Sequence, residues 1–236
     1  MGRTLIVGDV HGCADELSEL FERVALTTSD QVFLVGDLVS RGPDPRRALA
    51  VVREARGRSV VGNHELRLLE IRKKRALGQS APAPPHLARL FELFDDADWA
   101  LVEALPLHLD VAANDVRVVH AGILPGLPFE KQDPWVLTHI RSVRDDGTPS
   151  NDLDGRPWAS LYTGSPHLVF GHDARSKLQL WPAATGLDTG CVYGGQLSAL
   201  LLPENSRPPP PADRRDAIVA VPARRPYCDL GSSRAD

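Results

Sequence analysis

Short apolar runs in this chain end repeatedly at Asp, Asn or His, the side chains that bind metal ions. The run at residues 32–35 leads into Gly-Asp and then Arg-Gly-Pro, so a predicted buried strand delivers the Asp37 carboxylate and the Arg41 guanidinium into one loop. A carboxylate offers hard oxygens to a metal ion, and an arginine offers a planar fork of donors to a phosphate group. This stretch predicts a metal and phosphate pocket if the rest of the chain supplies further ligands.

Four further predicted strands supply such ligands. They lie at residues 5–7, 59–61, 116–119 and 168–170, and with the first they give six candidate metal ligands: Asp9, His11, Asp37, Asn63, His120 and His172. All are nitrogen or oxygen donors. Six exceed the four that one zinc ion takes, whereas two metal ions that share a carboxylate need about this number. Paired metal ions form a clamp for in-line displacement at phosphorus, with Asp37 as the natural bridging ligand.

The elements that must position these ligands follow an α/β pattern. Residues 13–24 show helical spacing between the predicted strands at 5–7 and 32–35, which predicts a βαβ unit. A second helix at 45–55 and the strand at 59–61 extend this unit. Sheets of this class bind ligands beyond the carboxyl ends of their strands, where the candidate residues lie. The predicted fold class is therefore α/β.

The remainder of the chain is less regular. A helix from 65 towards 75, a Gly- and Pro-rich loop at 78–85 and helical spacing at 86–105 predict a helical insertion, about 65–106, that caps the site. Residues 124–166 are expected to be mostly loop with a helix near 135–143. A strand pair is expected at 190–202, then a Pro-rich turn at about 203–212 and a last strand at 217–221. Residues 1–236 are expected to form a single domain.

Composition narrows the function further. The net charge of -4 disfavours binding to duplex nucleic acid, and no apolar stretch approaches the roughly 20 residues of a membrane span. Three cysteines without a Cys-x-x-Cys pair argue against a disulfide framework and a thiolate zinc site, which favours a reducing cytoplasm. The oligomeric state is not indicated by the sequence.

Five short motifs follow one another along the chain: Gly8-Asp9-Val10-His11-Gly12, Gly36-Asp37-Leu38-Val39-Ser40-Arg41-Gly42, Gly62-Asn63-His64-Glu65, His120-Ala121-Gly122 and Gly171-His172. In type and order they resemble those of the calcineurin-like metallophosphoesterases, specifically the phosphoprotein-phosphatase branch. The resemblance implies a four-layer αββα sandwich of two mixed sheets flanked by helices, with the site at the strand ends.

The resemblance also implies how the ligands are shared. The six residues divide into two sets that have Asp37 in common: Asp9, His11 and Asp37 for one ion, and Asp37, Asn63, His120 and His172 for the other. A hydroxide between the two ions is the implied nucleophile. Nitrogen and oxygen ligands suit Mn, Fe, Zn, Co or Ni, and the resemblance favours two manganese ions.

Three further residues match the branch's catalytic positions. Arg41 resembles the first phosphate-binding arginine, and Arg141 is the candidate for the second. His64 resembles the histidine beside the leaving group, where it can donate a proton. The remaining histidines have no motif around them and are expected to be packing or surface residues: His86, His108, His139 and His167.

One position departs from the branch's pattern. Protein Ser/Thr phosphatases have an aspartate immediately before the arginine, which supports the catalytic histidine, whereas this chain has Ser40. A carboxylate favours the imidazolium and a hydroxyl can only orient the ring, so His64 should be the weaker acid. A phosphate leaving group with a second pKa of about 6 hardly needs a proton, while a serine alkoxide needs one badly. Phosphoanhydrides are therefore favoured over serine or threonine phosphoesters.

The leading hypothesis is a dinucleoside polyphosphate hydrolase, because the motifs around Asp37 and Asn63 resemble those of bacterial symmetrical diadenosine tetraphosphatases, which release two ADP. The alternative is a protein phosphatase acting on phosphotyrosine or phosphoserine/threonine, or both activities in one enzyme. A third possibility is a metal-binding scaffold without turnover. The expected partner is thus a nucleotide polyphosphate or a phosphopeptide.

Two groups of residues outside the motifs have a possible substrate role. Trp135, Trp158 and Tyr162 have rings that can stack an adenine, although core or cap packing is the expected role. The run Arg72-Lys73-Lys74-Arg75 has the charge to steer a polyphosphate, although a solvated helix face is expected.

Overall fold

The first part of the chain alternates strands and helices, as the sequence predicts. The computed structural model describes residues 2–175 and 177–229. Its first elements are Thr4–Val7 (β1), Ala14–Arg23 (α1), Gln31–Leu34 (β2), Pro45–Glu54 (α2), Arg58–Ser59 (β3) and Asn63–Ala76 (α3). Three short helices follow: Pro85–Ala88 (α4), Leu90–Leu93 (α5) and Asp96–Glu103 (α6).

The rest of the chain contains most of the short strands. In order, it forms His108–Val111 (β4), Val116–Val119 (β5), Pro134–His139 (α7), Ser142–Val143 (β6), Pro149–Ser150 (β7), Arg156–Pro157 (β8), Trp158–Leu161 (α8), His167–Phe170 (β9), Gln179–Leu180 (β10), Ala184–Gly186 (β11), Gln196–Leu202 (β12), Pro211–Arg214 (α9) and Ile218–Pro222 (β13). Short 3-10 turns lie at Ala112–Asn114, Phe129–Lys131, Cys191–Tyr193 and Arg215–Ala217.

Two five-stranded mixed sheets form the centre of the fold. The first has the order β13-β12-β1-β2-β3, in which β1, β2 and β3 are parallel and β12 is antiparallel to both of its neighbours. The second has the order β10-β11-β9-β5-β4, in which the three central strands are parallel and both edge strands antiparallel. A small sheet of order β7-β6-β8 accompanies them.

Side-chain alternation along the strands shows how the layers stack. Ile6 of the first sheet and Val169 of the second belong to one buried cluster, so this cluster joins the two sheets. The adjacent Leu5 points the other way and packs with the apolar faces of α1 and α2. Leu168 likewise points outward and packs with α7 and α8. The predicted four-layer αββα sandwich is therefore confirmed.

Two predicted helical stretches are shorter than expected. Residues 86–105 break into three helices, because Phe94 is extended after α5 and the Asp95 side chain accepts from the Asp98 N–H to begin α6. The helix predicted near 135–143 ends at His139, since Ile140 is extended and the next residues pair in β6.

The strand pair predicted at 190–202 is wrong. Gly190 and Gly194 both have left-handed φ values, 71° and 89°, and enclose a 3-10 turn, so that only β12 follows. This strand pairs instead with β1 and β13. Strands β10 and β11 were not predicted, since two or three residues are too few to show a periodicity.

The helical insertion lies against the outer face of the first sheet. Leu87, Leu90 and Trp99 share a buried cluster with α1 and α2. Its capping role and the single-domain boundary stay predictions. Every helix in residues 2–175 and 177–229 is too short or too polar to cross a bilayer.

Candidate metal centre and active site

The predicted ligands lie where the parallel strands of both sheets end. Asp9 follows β1 and Asp37 follows β2, while His120 and His172 follow β5 and β9 of the second sheet. Asn63 is the first residue of α3. Because the two sheets pack face to face, their carboxyl ends bring these residues, with His11, into one cluster.

The loops that carry the ligands have an unusual backbone. His11, Asp37, Ser40, Arg41 and His172 all have positive φ values, between 46° and 79°. Such conformations cost about 1–3 kcal/mol each for residues other than glycine and persist only where surrounding contacts hold them. The motif loops are therefore strained and need specific anchors.

Glu65 is the main anchor of the Asp37 loop. Its buried carboxylate accepts from the N–H groups of Asp37 at 2.9 Å, Val39 at 3.1 Å and Gly62 at 3.0 Å. The N–H of His11 in turn donates to the Asp37 carbonyl at 2.7 Å. One side chain on α3 thus holds the loops of the second and third motifs together. Glu65 belongs to the third motif, but the sequence alone assigns it no role.

Two glycines let the backbone approach the carboxylates. A Cβ on Gly171 would lie 1.9 Å from Asp9 Oδ1, and a Cβ on Gly62 would lie 2.1 Å from Asp37 Oδ1. Both distances are far below van der Waals contact, so any side chain here would displace a carboxylate. The Asp9 carboxylate instead accepts from the His172 N–H at 3.1 and 3.2 Å.

Asp37 occupies the centre of the donor cluster. Its Oδ2 lies 3.5 Å from Nε2 of His11 and 3.5 Å from Nε2 of His120. Two overlapping groups of ligand atoms, each within 4.8 Å, share Asp37: one with His11 and His64, the other with Asp9 and His120. A single carboxylate that faces donors on both sides is the arrangement that a bridging ligand needs.

Asn63 joins the two histidines of the second sheet. Its Oδ1 lies 2.9 Å from His120 Nε2 and 3.1 Å from His172 Nδ1. The other ring nitrogens are 2.8 Å from the Val35 carbonyl and 3.0 Å from the His139 carbonyl, to which they donate. A proton on that side leaves the lone pair directed at the cluster, as a metal-binding imidazole requires.

Acidic groups are crowded in this cluster. Burial and the charges of Asp188 and Asp37 raise the pKa of Asp9 well above its usual value. Burial together with Asp37 raises the pKa of Glu65 to about 7, and burial raises that of Asp188 to about 7. A divalent cation offsets such repulsion between carboxylates, so the donor set fits metal ions.

The imidazoles shift in the opposite direction. Burial lowers the pKa of His120 to about 4, and burial also lowers the pKa values of His11 and His172 well below their usual range. Neutral imidazole is the form that binds metal ions. The cluster thus combines neutral nitrogen donors with carboxylate oxygens and contains no thiol.

A cavity of about 380 Å³ opens onto the donor cluster. The three predicted catalytic side chains, Arg41, His64 and Arg141, all line it. Arg41 Nη1 donates to the Tyr193 hydroxyl. Arg141 Nη2 donates to the His172 carbonyl at 3.0 Å. The structure therefore brings two arginines from distant parts of the chain to one cavity.

Ser40 lies beside His64, as the sequence comparison of the motif suggested. Ser40 Oγ is 3.1 Å from His64 Nδ1 and 3.5 Å from His11 Nδ1. The backbone N–H of His64 donates to Asp37 Oδ1 at 3.2 Å. Burial lowers the pKa of the His64 ring. His86, expected to have no role, approaches this ring with 5.8 Å between centroids.

The sequence analysis missed other residues of the cavity. Asp188, Arg175, Asn151 and Tyr193 also line it. Asp188 follows β11 by two residues, the same signal that identified Asp9, but β11 was not predicted. Asn151 and Arg175 lie in loops without any periodic signal.

Comparisons with known proteins agree with this geometry. The family model described as calcineurin-like phosphoesterase matches residues 2–182. An asymmetrical bis(5'-nucleosyl)-tetraphosphatase of Oceanobacillus iheyensis is 27% identical, with 94% of this chain and 93% of the relative covered. A symmetrical bis(5'-nucleosyl)-tetraphosphatase of Vibrio campbellii is 31% identical, with 84% and 94% covered.

A solved structure extends this agreement to three dimensions. A crystal structure described as a candidate diadenosine tetraphosphatase superimposes with a TM-score of 0.80 and 34% identity, covering 94% of both chains. The matched family model spans all five motifs, from Gly8 to His172. This chain belongs to the calcineurin-like phosphoesterase family.

Proposed function

We propose that this phosphoesterase hydrolyses dinucleoside polyphosphates, converting diadenosine tetraphosphate and water to two ADP. The contact between Ser40 and His64, 3.1 Å from Oγ to Nδ1, carries the proposal. It puts a neutral hydroxyl where a carboxylate would stabilise the imidazolium, so the histidine is suited to a leaving group that hardly needs a proton. A nucleoside diphosphate is such a group. The tetraphosphatase names of the relatives support the same substrate class.

The family implies divalent metal ions, and the donor cluster has the ligands for two of them. Asp9, His11 and Asp37 would hold one ion, and Asp37, Asn63, His120 and His172 the other, with Mn²⁺ expected. The central position of Asp37 Oδ2, 3.5 Å from two ring nitrogens, supports this division. When bound, such ions lower the pKa of water and polarise phosphoryl oxygens.

The chain's own residues bind and orient the substrate. Arg41 and Arg141, which both line the cavity, would bind the phosphoryl oxygens, because guanidinium forks match phosphate geometry. The Ser40 hydroxyl can donate to Nδ1 of His64, which places the ring proton on Nε2. His64 would pass that proton to the departing oxygen when the leaving group needs it.

The cysteines support a proposed cytoplasmic location. Cys13 and Cys191 are free thiols, and both are buried. Free thiols persist in a reducing compartment, so we place the activity in the cytoplasm.

The test is an assay of the purified chain loaded with Mn²⁺ against diadenosine tetraphosphate, a phosphotyrosine peptide and a phosphoserine peptide. Cleavage of the dinucleotide with the highest kcat/KM is expected. Two ADP indicate symmetrical cleavage, whereas ATP plus AMP would show the asymmetrical reaction. Preference for the phosphoserine peptide would reject the substrate proposal, and no turnover in fully loaded protein would indicate a binding scaffold.

A further inference from the structure

A second, larger cavity of about 650 Å³ begins at the metal centre. The two cavities share Asn63 in their walls. From there the second cavity follows one face of α3, because Asn63, Arg67 and Lys74 are four and seven residues apart and therefore lie on the same side of the helix. The eleven helical steps from Asn63 to Lys74 extend about 16 Å. We call this cavity the α3 groove; residues outside α3, among them Ala81 and Trp135, also line it.

Trp135 is the aromatic residue of the groove. Its side chain is exposed to 43%, and its ring stacks on that of His139 with 5.4 Å between centroids and an angle of 3°. The His139 ring is 6.2 Å from that of His172, a proposed ligand. A flat aromatic surface thus lies two ring contacts away from the donor cluster. The other two candidates for stacking a base are occupied elsewhere.

Trp158 and Tyr162 are those two candidates. Trp158 is 2% exposed and donates its Nε1–H to the Ala121 carbonyl at 3.0 Å. The Tyr162 hydroxyl donates to the Pro166 carbonyl at 2.8 Å. Neither residue lines either cavity at the site, so both fulfil the expected packing role.

Positive charge in the groove comes from Arg67 and Lys74. Within the described part of the chain, their side chains form no ion pair or hydrogen bond, although Glu70 lies between them on the same wall. The neighbouring arginines are engaged elsewhere: Arg72 stacks on Trp99 at 4.2 Å, and Arg75 stacks on Phe91 at 4.3 Å. The helical period therefore places Arg72 and Arg75 of the basic run against the helical insertion, whereas Lys74 faces the groove.

We propose that the α3 groove binds one nucleoside phosphate half of the substrate, with the base stacked on Trp135 and the phosphates on Arg67 and Lys74. This inference rests on the proposed function and names the subsite that would hold the nucleoside. Base–aromatic stacking uses the π-face that every nucleobase has, so the subsite should accept bases other than adenine. A phosphopeptide is the alternative ligand of the α3 groove, and its binding would not require an aromatic ring on which a base can stack.

The first measurement is equilibrium binding of ADP and of inorganic pyrophosphate to the metal-loaded chain, by isothermal titration calorimetry. Trp135→Ala should weaken ADP binding about tenfold or more, with Trp135→Phe restoring most of it. Arg67→Gln should weaken the binding of both ADP and pyrophosphate, because it removes a positive charge that binds their phosphates. Leu93→Ala is the matched control, since Leu93 is also 43% exposed but lies outside both cavities, and it should match the unmodified chain.

The second measurement is the ratio of kcat/KM for diadenosine tetraphosphate to kcat/KM for p-nitrophenyl phosphate, a substrate without a nucleoside. The ratio should fall about tenfold or more in Trp135→Ala and stay within about twofold in Leu93→Ala. An unchanged ratio together with unchanged ADP affinity in Trp135→Ala would overturn the subsite. If the unmodified chain binds ADP through Trp135 but cleaves no dinucleotide, the proposed function fails and the subsite stands.

Discussion

This molecule has two separate groups in which side chains of metal-binding type lie close to one another. The two groups differ in what surrounds them. Asp9, Asp37 and His120 form one group, and Cys13, Glu16 and Cys191 form the other, each with ligand atoms within 4.8 Å. The first belongs to the cluster beneath the open cavity. Both groups are buried, but the second has its two thiols packed in the apolar cluster of α1 and α2.

The second group uses its polar atoms for structure. Glu16 Oε1 accepts from the Arg224 N–H at 3.0 Å and from the Tyr227 hydroxyl at 2.8 Å, which attaches the segment after β13 to α1. The Glu65 carboxylate, by contrast, accepts hydrogen bonds from the loops that carry the ligands. Ligand chemistry and proximity are therefore not sufficient for a metal centre; an open approach and oriented lone pairs are also needed. Within residues 2–175 and 177–229, Glu16 Oε2 has no hydrogen-bond partner, so the group of Cys13, Glu16 and Cys191 is where this comparison can fail.

The largest effect is expected from Asp37→Asn. Loss of the shared carboxylate should remove bound metal and lower turnover by far more than the 10–100-fold typical of outer-shell changes. Metal content by mass spectrometry and kcat measure the two effects. Asp110→Asn, which only breaks a surface pair with Arg117, is the control. Full metal content in Asp37→Asn would show that the central position of this carboxylate is not a bridging one.

His64→Asn should separate chemistry from metal binding. We expect unchanged metal content and a loss of turnover that is smallest for diadenosine tetraphosphate and approaches about 10²–10⁴-fold for aryl and alkyl phosphoesters. Steady-state kinetics over a series of substrates measures how the loss of turnover depends on the pKa of the leaving group. An equal loss for all substrates would contradict the role assigned to Ser40.

Glu65→Gln should weaken metal binding without removing any proposed ligand. The amide cannot accept the three backbone N–H groups as the carboxylate does, so Asp37 should lose its orientation and metal affinity should fall about 10–100-fold. Titration with Mn²⁺ measures the affinity, and excess metal should partly restore turnover. Unaltered affinity would mean that Glu65 is only a helix cap.

The smallest effect is expected from Glu16→Gln, the matched change in the second group. It should cost about 1 kcal/mol in the free energy of unfolding, from weaker bonds to Arg224 and Tyr227, and leave metal content as it was. Denaturant unfolding and metal analysis report the two quantities. A drop in metal stoichiometry here, or in Cys13→Ala, would show that the thiol group binds metal and would abolish the contrast.

Much of the donor cluster could be predicted because four of the six ligands lie within three residues of the end of a strand. A short apolar run that stops at Asp9, Asp37 or His120 is a local signal, and parallel strands align such positions without further information. The departure at Ser40 could also be recognised from the sequence, because Ser40 precedes Arg41 within one motif. Their assembly was not local: the Asp9 carboxylate accepts from His172, 163 residues away.

Arg141 shows where sequence reasoning weakened. No motif surrounds it, and only the packing of α7 and β6 against the second sheet brings it beside His172. Asp188 was missed because β11 is three residues long, and Trp135 could not be distinguished from Trp158 by composition. Exposure is a property of the packed layers, so no single-residue pattern could assign it.

The sequence by itself determined the α/β class, the donor types, the strand ends that carry them and the neutral residue beside the proposed catalytic histidine, because each depends on neighbours within a few positions. Only the tertiary structure decided which glutamate holds the motif loops and which tryptophan faces a cavity. These depend on two sheets closing over Ile6 and Val169, and contacts between layers have no signature in local spacing.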